Sequence, residues 1–377
     1  MPHLRGFGTT IFAEMSALAL ATGSINLGQG FPDTDGPAEV ADAAVEAIRA
    51  GHNQYPPGPG IPALRAAIAR HQARFWDIEV DPDREVLVTA GATEALAAAL
   101  LALCQAGDEV VAFEPVYDSY RASVAMAGAT LRVVTLEAPD WSVDLDAVDA
   151  AITPATRVLL LNSPHNPTGK VFSETELTAI AELCVRHDLL AIADEVYEHI
   201  TFDGARHESL ARYPDIASRA VVISSFGKTY HTTGWKVGYC AAPRQLTAEI
   251  QRVHQFVTFT VNGAIQMAYA DFVTRDPLCE DLARFYQAKR DLFLRLIEGS
   301  RFRPLPCRGT YFQMLDYSAI TGDRDADVAL RLITDHGVAS IPTSAFLYGV
   351  DPGPVLRFCF AKRDETLERA AARLRAA

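Results

Sequence analysis

From residue 85 onward, short β-branched runs alternate with longer helical stretches, and nothing else in the chain constrains its fold as much. The strand segments are 85–89, 109–113, 130–136, 157–162, 189–193, 220–224 and 237–241. Several are apolar at nearly every position, the pattern of strands covered on both faces. Helical stretches lie between them at 93–104, 117–127 and 174–187. Ser173 and Glu176 stand in capping-box spacing at the start of the last one. Strands alternating with helices predict an α/β fold, with a mostly parallel seven-stranded sheet sandwiched by helices. In such sheets ligands meet the carboxyl ends of the strands, where loops run into helix N-termini.

The two ends read differently. The first 40 residues are loop-rich, with Gly28, Gly30, Pro32, Gly36 and Pro37 crowded together. After about residue 278, a helical stretch at 282–299 leads into strand segments at 311–317, 338–341 and 355–360, then a charged C-terminal helix. The expected division is a large domain over 41–278 and a smaller α+β domain drawn from 1–40 and 279–377.

A chain of 377 residues is long enough to bury its core without disulfides or structural metals. Its 49% hydrophobic and 21% charged residues exclude disordered, collagen-like and coiled-coil classes. The net charge of −13 argues against a whole-surface binder of nucleic acid or anionic membrane, while leaving room for a local basic pocket. The six cysteines, at 104, 184, 240, 279, 307 and 359, form no CxxC and no local cluster with histidine, so no metal site is expected. The first residues carry no apolar signal region, and the longest apolar run, 95–104, is about half of what a membrane span requires. A reducing cytoplasm is the expected compartment.

Four segments carry chemistry. In Ser224-Ser225-Phe226-Gly227-Lys228, a lysine just beyond a buried strand among small residues could form a Schiff base with an aldehyde. Most lysines are solvated surface groups, and its company is what sets Lys228 apart: Ser225 and Lys236 would make a phosphate grip. Asp194 closes a strand that is nearly all apolar, where an acid is costly to bury without a cationic partner. A protonated pyridine nitrogen would serve; an ordinary helix cap is the alternative. The run Asn162-Ser163-Pro164-His165-Asn166-Pro167-Thr168-Gly169 is turn chemistry after a strand, with the Asn166 amide available to a phenolate oxygen. Thr89-Ala90-Gly91-Ala92-Thr93 leaves a strand and opens a helix, a small-residue turn that also makes an anion site.

In this order and spacing the four segments resemble the class I/II aminotransferases, pyridoxal-phosphate enzymes of fold type I. Leu27-Gly28-Gln29-Gly30-Phe31-Pro32-Asp33 and Val355-Leu356-Arg357-Phe358-Cys359-Phe360 extend the likeness over essentially the whole chain. Within the superfamily the chain resembles most the methionine and kynurenine/glutamine-type enzymes, with Asn53-Gln54-Tyr55 also in place.

The resemblance implies pyridoxal 5′-phosphate as cofactor and a role for each matching residue. Lys228 matches the Schiff-base lysine, Asp194 the partner of the pyridinium nitrogen, and Asn166 and Tyr197 the donors to the ring 3-oxygen. The phosphate would lie on the amides of Gly91, Ala92 and Thr93 beside Ser225 and Lys236, and Tyr117 would stack on the ring. Tyr55 resembles the residue that reaches the phosphate from the second subunit of a homodimer with shared sites. Arg357 matches the arginine that forks the substrate α-carboxylate, with the backbone at Gly30 beside it.

Phe12, Tyr117 and Phe259 would shape the side-chain pocket, with Thr260 next to it. Phe12 stands where kynurenine-type enzymes can carry tryptophan and Thr260 where they can carry histidine, so the pocket favours methionine, aromatic and similar apolar donors over strict kynurenine specificity. The expected reaction moves the amino group of such a donor to a 2-oxo acid. Two readings share the same residues. One is N-succinyldiaminopimelate transamination, which resembles the 53–60 segment but needs further pocket cations that the sequence does not place. The other is β-elimination from cysteine conjugates. A cofactor-sensing regulator would need a DNA-binding module, and no residues are left over for one.

Overall fold

The computed structural model describes residues 4, 6–275, 278–351 and 353–377. Its main sheet comprises β1 (Val86–Thr89), β2 (Glu109–Glu114), β3 (Thr130–Thr135), β4 (Thr156–Asn162), β5 (Leu190–Asp194), β6 (Ala220–Ser225) and β7 (Gly238–Ala241). The order is β1-β7-β6-β5-β4-β2-β3. β7 runs antiparallel to both β1 and β6, and the remaining pairs are parallel. Each strand agrees with its sequence segment to within one residue at either end.

Strand periodicity explains why these segments are apolar throughout. Successive side chains point to opposite faces, and both faces are covered. Leu159, Leu161, Ala191 and Ala193 enter one core with Leu177, Ile180 and Cys184 of the helix Glu174–Arg186. Val158, Leu160, Leu190 and Ile192 enter the opposite core with Leu96, Ala99 and Leu100 of the helix Ala92–Leu103. The helix Glu174–Arg186 starts on the predicted box, with the Ser173 hydroxyl accepting from the Glu176 amide while the Glu176 carboxylate accepts from the Ser173 amide.

A four-stranded antiparallel sheet holds Ile341–Pro342, Val355–Cys359, Phe312–Asp316 and Arg303–Pro304 in that order. Ile25–Asn26 pairs in parallel with Val338–Ala339, and Met15, Ala19, Ile25 and Leu27 share a core with residues near the C-terminus such as Phe358 and Leu367. The chain start thereby packs against the chain end.

The reading of the first 40 residues as loop needs correction, because a helix spans Ile11–Thr22. Its sequence, IFAEMSALALAT, is apolar nearly all round and shows no polar–apolar stripe to announce it. Only Met15 and Ala19 are buried, and Leu20 is 86% exposed. Thr10 caps its start, and Gly23 in the left-handed region ends it. The helix expected at 282–299 runs over Leu278–Leu296. Helices Ala38–Arg49, Pro62–Trp76 and Gly263–Arg275 pack around Val86 and Val88 of β1. Among the described residues, no helix is long and apolar enough to cross a membrane.

Candidate active site

Because the strands are parallel, the residues that follow them collect along one edge. β1 leads through Gly91 to Ala92 and Thr93; β2 leads to Tyr117; β4 leads to Asn166. β5 ends on Asp194 with Tyr197 just beyond, and β6 ends on Ser225, followed by Lys228 in the helical turn Phe226–Thr229. Arg357 arrives from the other sheet, on Val355–Cys359. Ala92, Thr93, Tyr117, Asn166, Asp194, Tyr197, Ser225, Lys228, Lys236 and Arg357 line one cavity of about 730 Å³, with Phe12 and Gly30 on its wall.

Lys228 is aimed by two oxygens. Its Nζ donates to the Tyr311 hydroxyl at 3.0 Å and to the Gly30 carbonyl at 3.4 Å, and Tyr311 itself donates to Gly30 at 2.8 Å. Burial, reinforced by the charges of Arg357 and Lys236, draws its ammonium down to about 8.

Asp194 is 4% exposed, and burial lifts its carboxyl to about 6. The Tyr120 hydroxyl donates to Oδ2 and the Val196 amide to Oδ1, both favouring the ionised form. Asn162 ties Asp194 to its neighbour strand: its Nδ2 donates to the Asp194 carbonyl at 2.8 Å, while its Oδ1 accepts from the Asn166 amide at 2.7 Å.

Arg357 is a buried cation, 1% exposed, with no carboxylate in ion-pair contact among the described residues. Nη1 donates to Asn166 Oδ1 and Nη2 to the Gly28 carbonyl, each at 2.8 Å, and Nε has no partner. The guanidinium lies 4.0 Å from the Phe312 ring centre, 5.0 Å from Phe346 and 5.1 Å from Phe12. Burial among these rings pulls it down to about 10. An unneutralised guanidinium in apolar surroundings is costly, and an entering carboxylate would relieve that cost. Since Asn166 Oδ1 is taken by Arg357, the Asn166 Nδ2 is left to donate into the cavity.

The opposite end suits a phosphate. The helix Ala92–Leu103 has no side-chain cap, and Ser225 and Lys236 stand beside its start. Gly91, at φ +78°, has its amide turned onto the Thr89 carbonyl at 2.7 Å, so the amides of Ala92 and Thr93 are the ones left for an anion. The part of Gly91 is space, since a Cβ there would stand 3.2 Å from Lys236 Nζ. A phosphate grip, a buried acid near the cavity floor and an aimed lysine fit a pyridoxal phosphate.

Three candidates stand elsewhere. Tyr55 is 81% exposed and meets the half-exposed Phe259 edge-on at 5.1 Å. Thr260 donates to the carbonyls of Pro56 and Pro57. None of the three lines the cavity of its own chain. The cavity also holds groups that sequence reasoning passed over. Tyr120 lies one helical turn beyond Tyr117, a spacing that could have drawn attention to it. Behind the lining, Tyr311 meets Lys228 and Phe346 meets Arg357, both from distant segments with no local signal. Arg121 lines the wall as well, so the reading that no further cation faces the pocket is corrected.

Away from the cavity, His71, His199 and Cys279 place ligand-type atoms within 4.8 Å of one another, a grouping hidden by their separation in sequence. The two imidazoles already hydrogen-bond, with Nε2 atoms 2.8 Å apart. Two nitrogens on one tetrahedral zinc would stand roughly 3.3 Å apart, so the pair is read as a hydrogen bond.

The family model for aminotransferase class I and II matches residues 22–374. The chain belongs to that family. It is an aminotransferase with the type I fold of pyridoxal-phosphate enzymes, and pyridoxal 5′-phosphate is its cofactor. It is 45% identical to the methionine aminotransferase of Escherichia coli (strain K12), over 98% of this chain and 96% of that one. It is 37% identical to the kynurenine–oxoglutarate transaminase of Dictyostelium discoideum, over 97% and 93%. The solved N-succinyldiaminopimelate aminotransferase of Mycobacterium tuberculosis superposes with a TM-score of 0.97 at 45% identity, covering 99% of this chain and 98% of that one.

Proposed function

We propose that this aminotransferase takes apolar L-amino acids, methionine and the aromatic ones foremost, and passes their amino group to a 2-oxo acid. The observation that carries the reading is Arg357, a buried cation that no described carboxylate pairs, set among Phe12, Phe312 and Phe346. The fork takes the α-carboxylate, and the rings beside it favour an apolar side chain.

Each remaining residue has a place in this scheme. When bound, pyridoxal 5′-phosphate supplies the electron sink for the charge left at Cα as its proton departs. Ser225, Lys236 and the amides of Ala92 and Thr93 would hold its phosphate, and Tyr117 would cover its ring. Asp194 would keep a proton on the ring nitrogen, while Asn166 and Tyr197 would donate to the 3-oxygen. Lys228 would hold the cofactor through its aldehyde carbon, and its Nζ, when free, would be the base that takes the proton from the substrate Cα and the acid that gives it back. The exposed Tyr55, with Phe256 and Val257 also exposed, supports a homodimer in which Tyr55 reaches the partner's phosphate. Five cysteines, at 104, 184, 240, 307 and 359, form no disulfide among the described residues, which supports a reducing compartment such as the cytoplasm. The division into 41–278 and 1–40 with 279–377 belongs to the same reading.

A donor panel tests it. With one 2-oxo acid as acceptor, kcat/KM for L-methionine and L-phenylalanine is expected to exceed that for L-aspartate by at least about tenfold. Equal or reversed preference sinks the apolar reading. N-succinyl-L,L-diaminopimelate belongs in the panel, because the relative carrying that name is as similar, at 45% identity. Pyruvate and ammonia released from a cysteine conjugate without any acceptor would instead mark a lyase.

The Asp194 assignment has its own test. Tyr120→Phe removes a hydrogen bond that favours the ionised carboxylate, so Asp194 should hold its proton to a higher pH than about 6. A neutral Asp194 no longer stabilises a protonated ring nitrogen. The acid limb of the kcat profile of the loaded enzyme is therefore expected to move upward in the variant. An unmoved limb would remove Asp194 from this role.

A further inference from the structure

An aminotransferase must admit two different side chains in turn to one cavity, and this cavity carries a cation that the scheme above does not use. Arg121 sits on the helix Asp118–Met126, four residues after Tyr117 and so on the same helical face. It lines the cavity that Arg357 closes at depth, yet it is itself exposed. Its guanidinium carbon lies over two rings, 4.4 Å from the Tyr348 ring centre and 5.3 Å from that of Phe7. Asp118 faces the same cavity one turn earlier, and burial pushes its carboxyl up. It forms no ion pair with Arg121, and no described carboxylate does.

We propose that Arg121 is the subsite for a second carboxylate, so that dicarboxylic 2-oxo acids serve as amino acceptors. The proposal rests on the reading of Arg357 as holder of the α-carboxylate. Depth and rim then divide the work. A buried second cation would penalise every apolar side chain by leaving a charge unpaired. At the solvated rim, with the Tyr348 ring 4.4 Å away, Arg121 costs little when an apolar side chain lies below it. When the side chain ends in a carboxylate, the same group gives a charge-assisted contact. One cavity can thus serve an apolar donor and an acidic acceptor in alternation without any rearrangement of its wall.

The test compares acceptors that differ only in the second carboxylate. Enzyme loaded with pyridoxamine 5′-phosphate, so that no donor is involved, is given 2-oxoglutarate against 2-oxopentanoate. Shorter and longer pairs, oxaloacetate against 2-oxobutanoate and 2-oxoadipate against 2-oxohexanoate, measure the reach from Arg357 to the rim. For at least one pair the dicarboxylate is expected to be preferred in kcat/KM, and the preference should fall about tenfold in R121Q. R121K should lie between, keeping the charge without the fork. In the unmodified enzyme the preference should also shrink as salt is raised, as screening of a rim charge requires. A binding readout accompanies these: glutarate should bind the pyridoxal form more tightly than pentanoate, and less so in R121Q. A ratio that is the same in the unmodified enzyme and R121Q at all three lengths overturns the proposal. So does the absence of any dicarboxylate preference in the unmodified enzyme, which needs no variant to fold. A failed donor panel with a shifting ratio would sink the apolar reading alone; a successful panel with a fixed ratio would sink only the Arg121 subsite.

Discussion

Lys228→Ala is expected to lower kcat by about 10³-fold or more, because in the proposed scheme it removes both the group that would move the proton and the one that would hold the cofactor's aldehyde carbon. The geometry says why this lysine and not another. Its Nζ is fixed by the Tyr311 hydroxyl at 3.0 Å and the Gly30 carbonyl at 3.4 Å, so it waits in one place rather than swinging through solvent. Drawn down to about 8, roughly one Lys228 amine in ten is neutral at pH 7, against roughly one in 3,000 for an ordinary lysine. A neutral amine is what both tasks require. Lys228→Arg keeps a positive charge but offers no neutral amine, and is expected to lose turnover to a similar extent. Visible absorbance of the loaded protein should change in both variants, since no lysine is then bonded to the cofactor. A variant turning over within tenfold of the unmodified enzyme would end the assignment.

The framework of this site was legible in the sequence because the central strands are buried on both faces. Residues such as Leu159 and Leu160 point opposite ways and both reach a core, so the strand reads as a continuous apolar run with sharp ends. Asp194 stood out for the same reason, as a carboxylate closing a run that should have no charge. Local pattern stops there. Tyr311 meets Lys228 from 83 positions away, and Tyr120 meets Asp194 from 74, contacts that only the packed sheet creates. The helix Ile11–Thr22 is hidden in the sequence by being apolar on too many sides, and nothing local sets Arg121 apart from the chain's other arginines.

The net charge of −13 describes the outer surface and not the cavity. Lys228, Lys236, Arg357 and Arg121 all line it, against the carboxylates of Asp194 and Asp118. A solvated acidic exterior keeps the protein apart from other acidic molecules, while field lines inside a low-dielectric cleft are set by the nearest charges. Substrates of this family are anions at one or both ends, and it is the local sign that they meet.

Arg357→Met is expected to cost the reaction about 2–5 kcal/mol in kcat/KM, roughly 30- to several-thousand-fold, in both the donor and the acceptor half. Arg357 is already desolvated and partly bonded by the protein itself, with Nη1 on Asn166, Nη2 on Gly28 and Nε unpartnered. The incoming α-carboxylate therefore meets a guanidinium that has shed its water and has only neutral partners, where a charge-assisted pair is strongest. A loss of activity alone would not separate this from simple damage, because methionine at 357 also strands the Asn166 and Gly28 oxygens. The substrate supplies the missing control. L-methioninamide keeps the side chain and amine but lacks the carboxylate, so the unmodified enzyme should disfavour it by a factor close to the one Arg357→Met costs. In the variant the two substrates should converge, since neither has a cation to meet. Arg357→Lys should fall between, because a point charge on a flexible stem cannot hold Asn166, Gly28 and the carboxylate together. If the variant still prefers methionine over its amide by the original factor, Arg357 does not read the α-carboxylate.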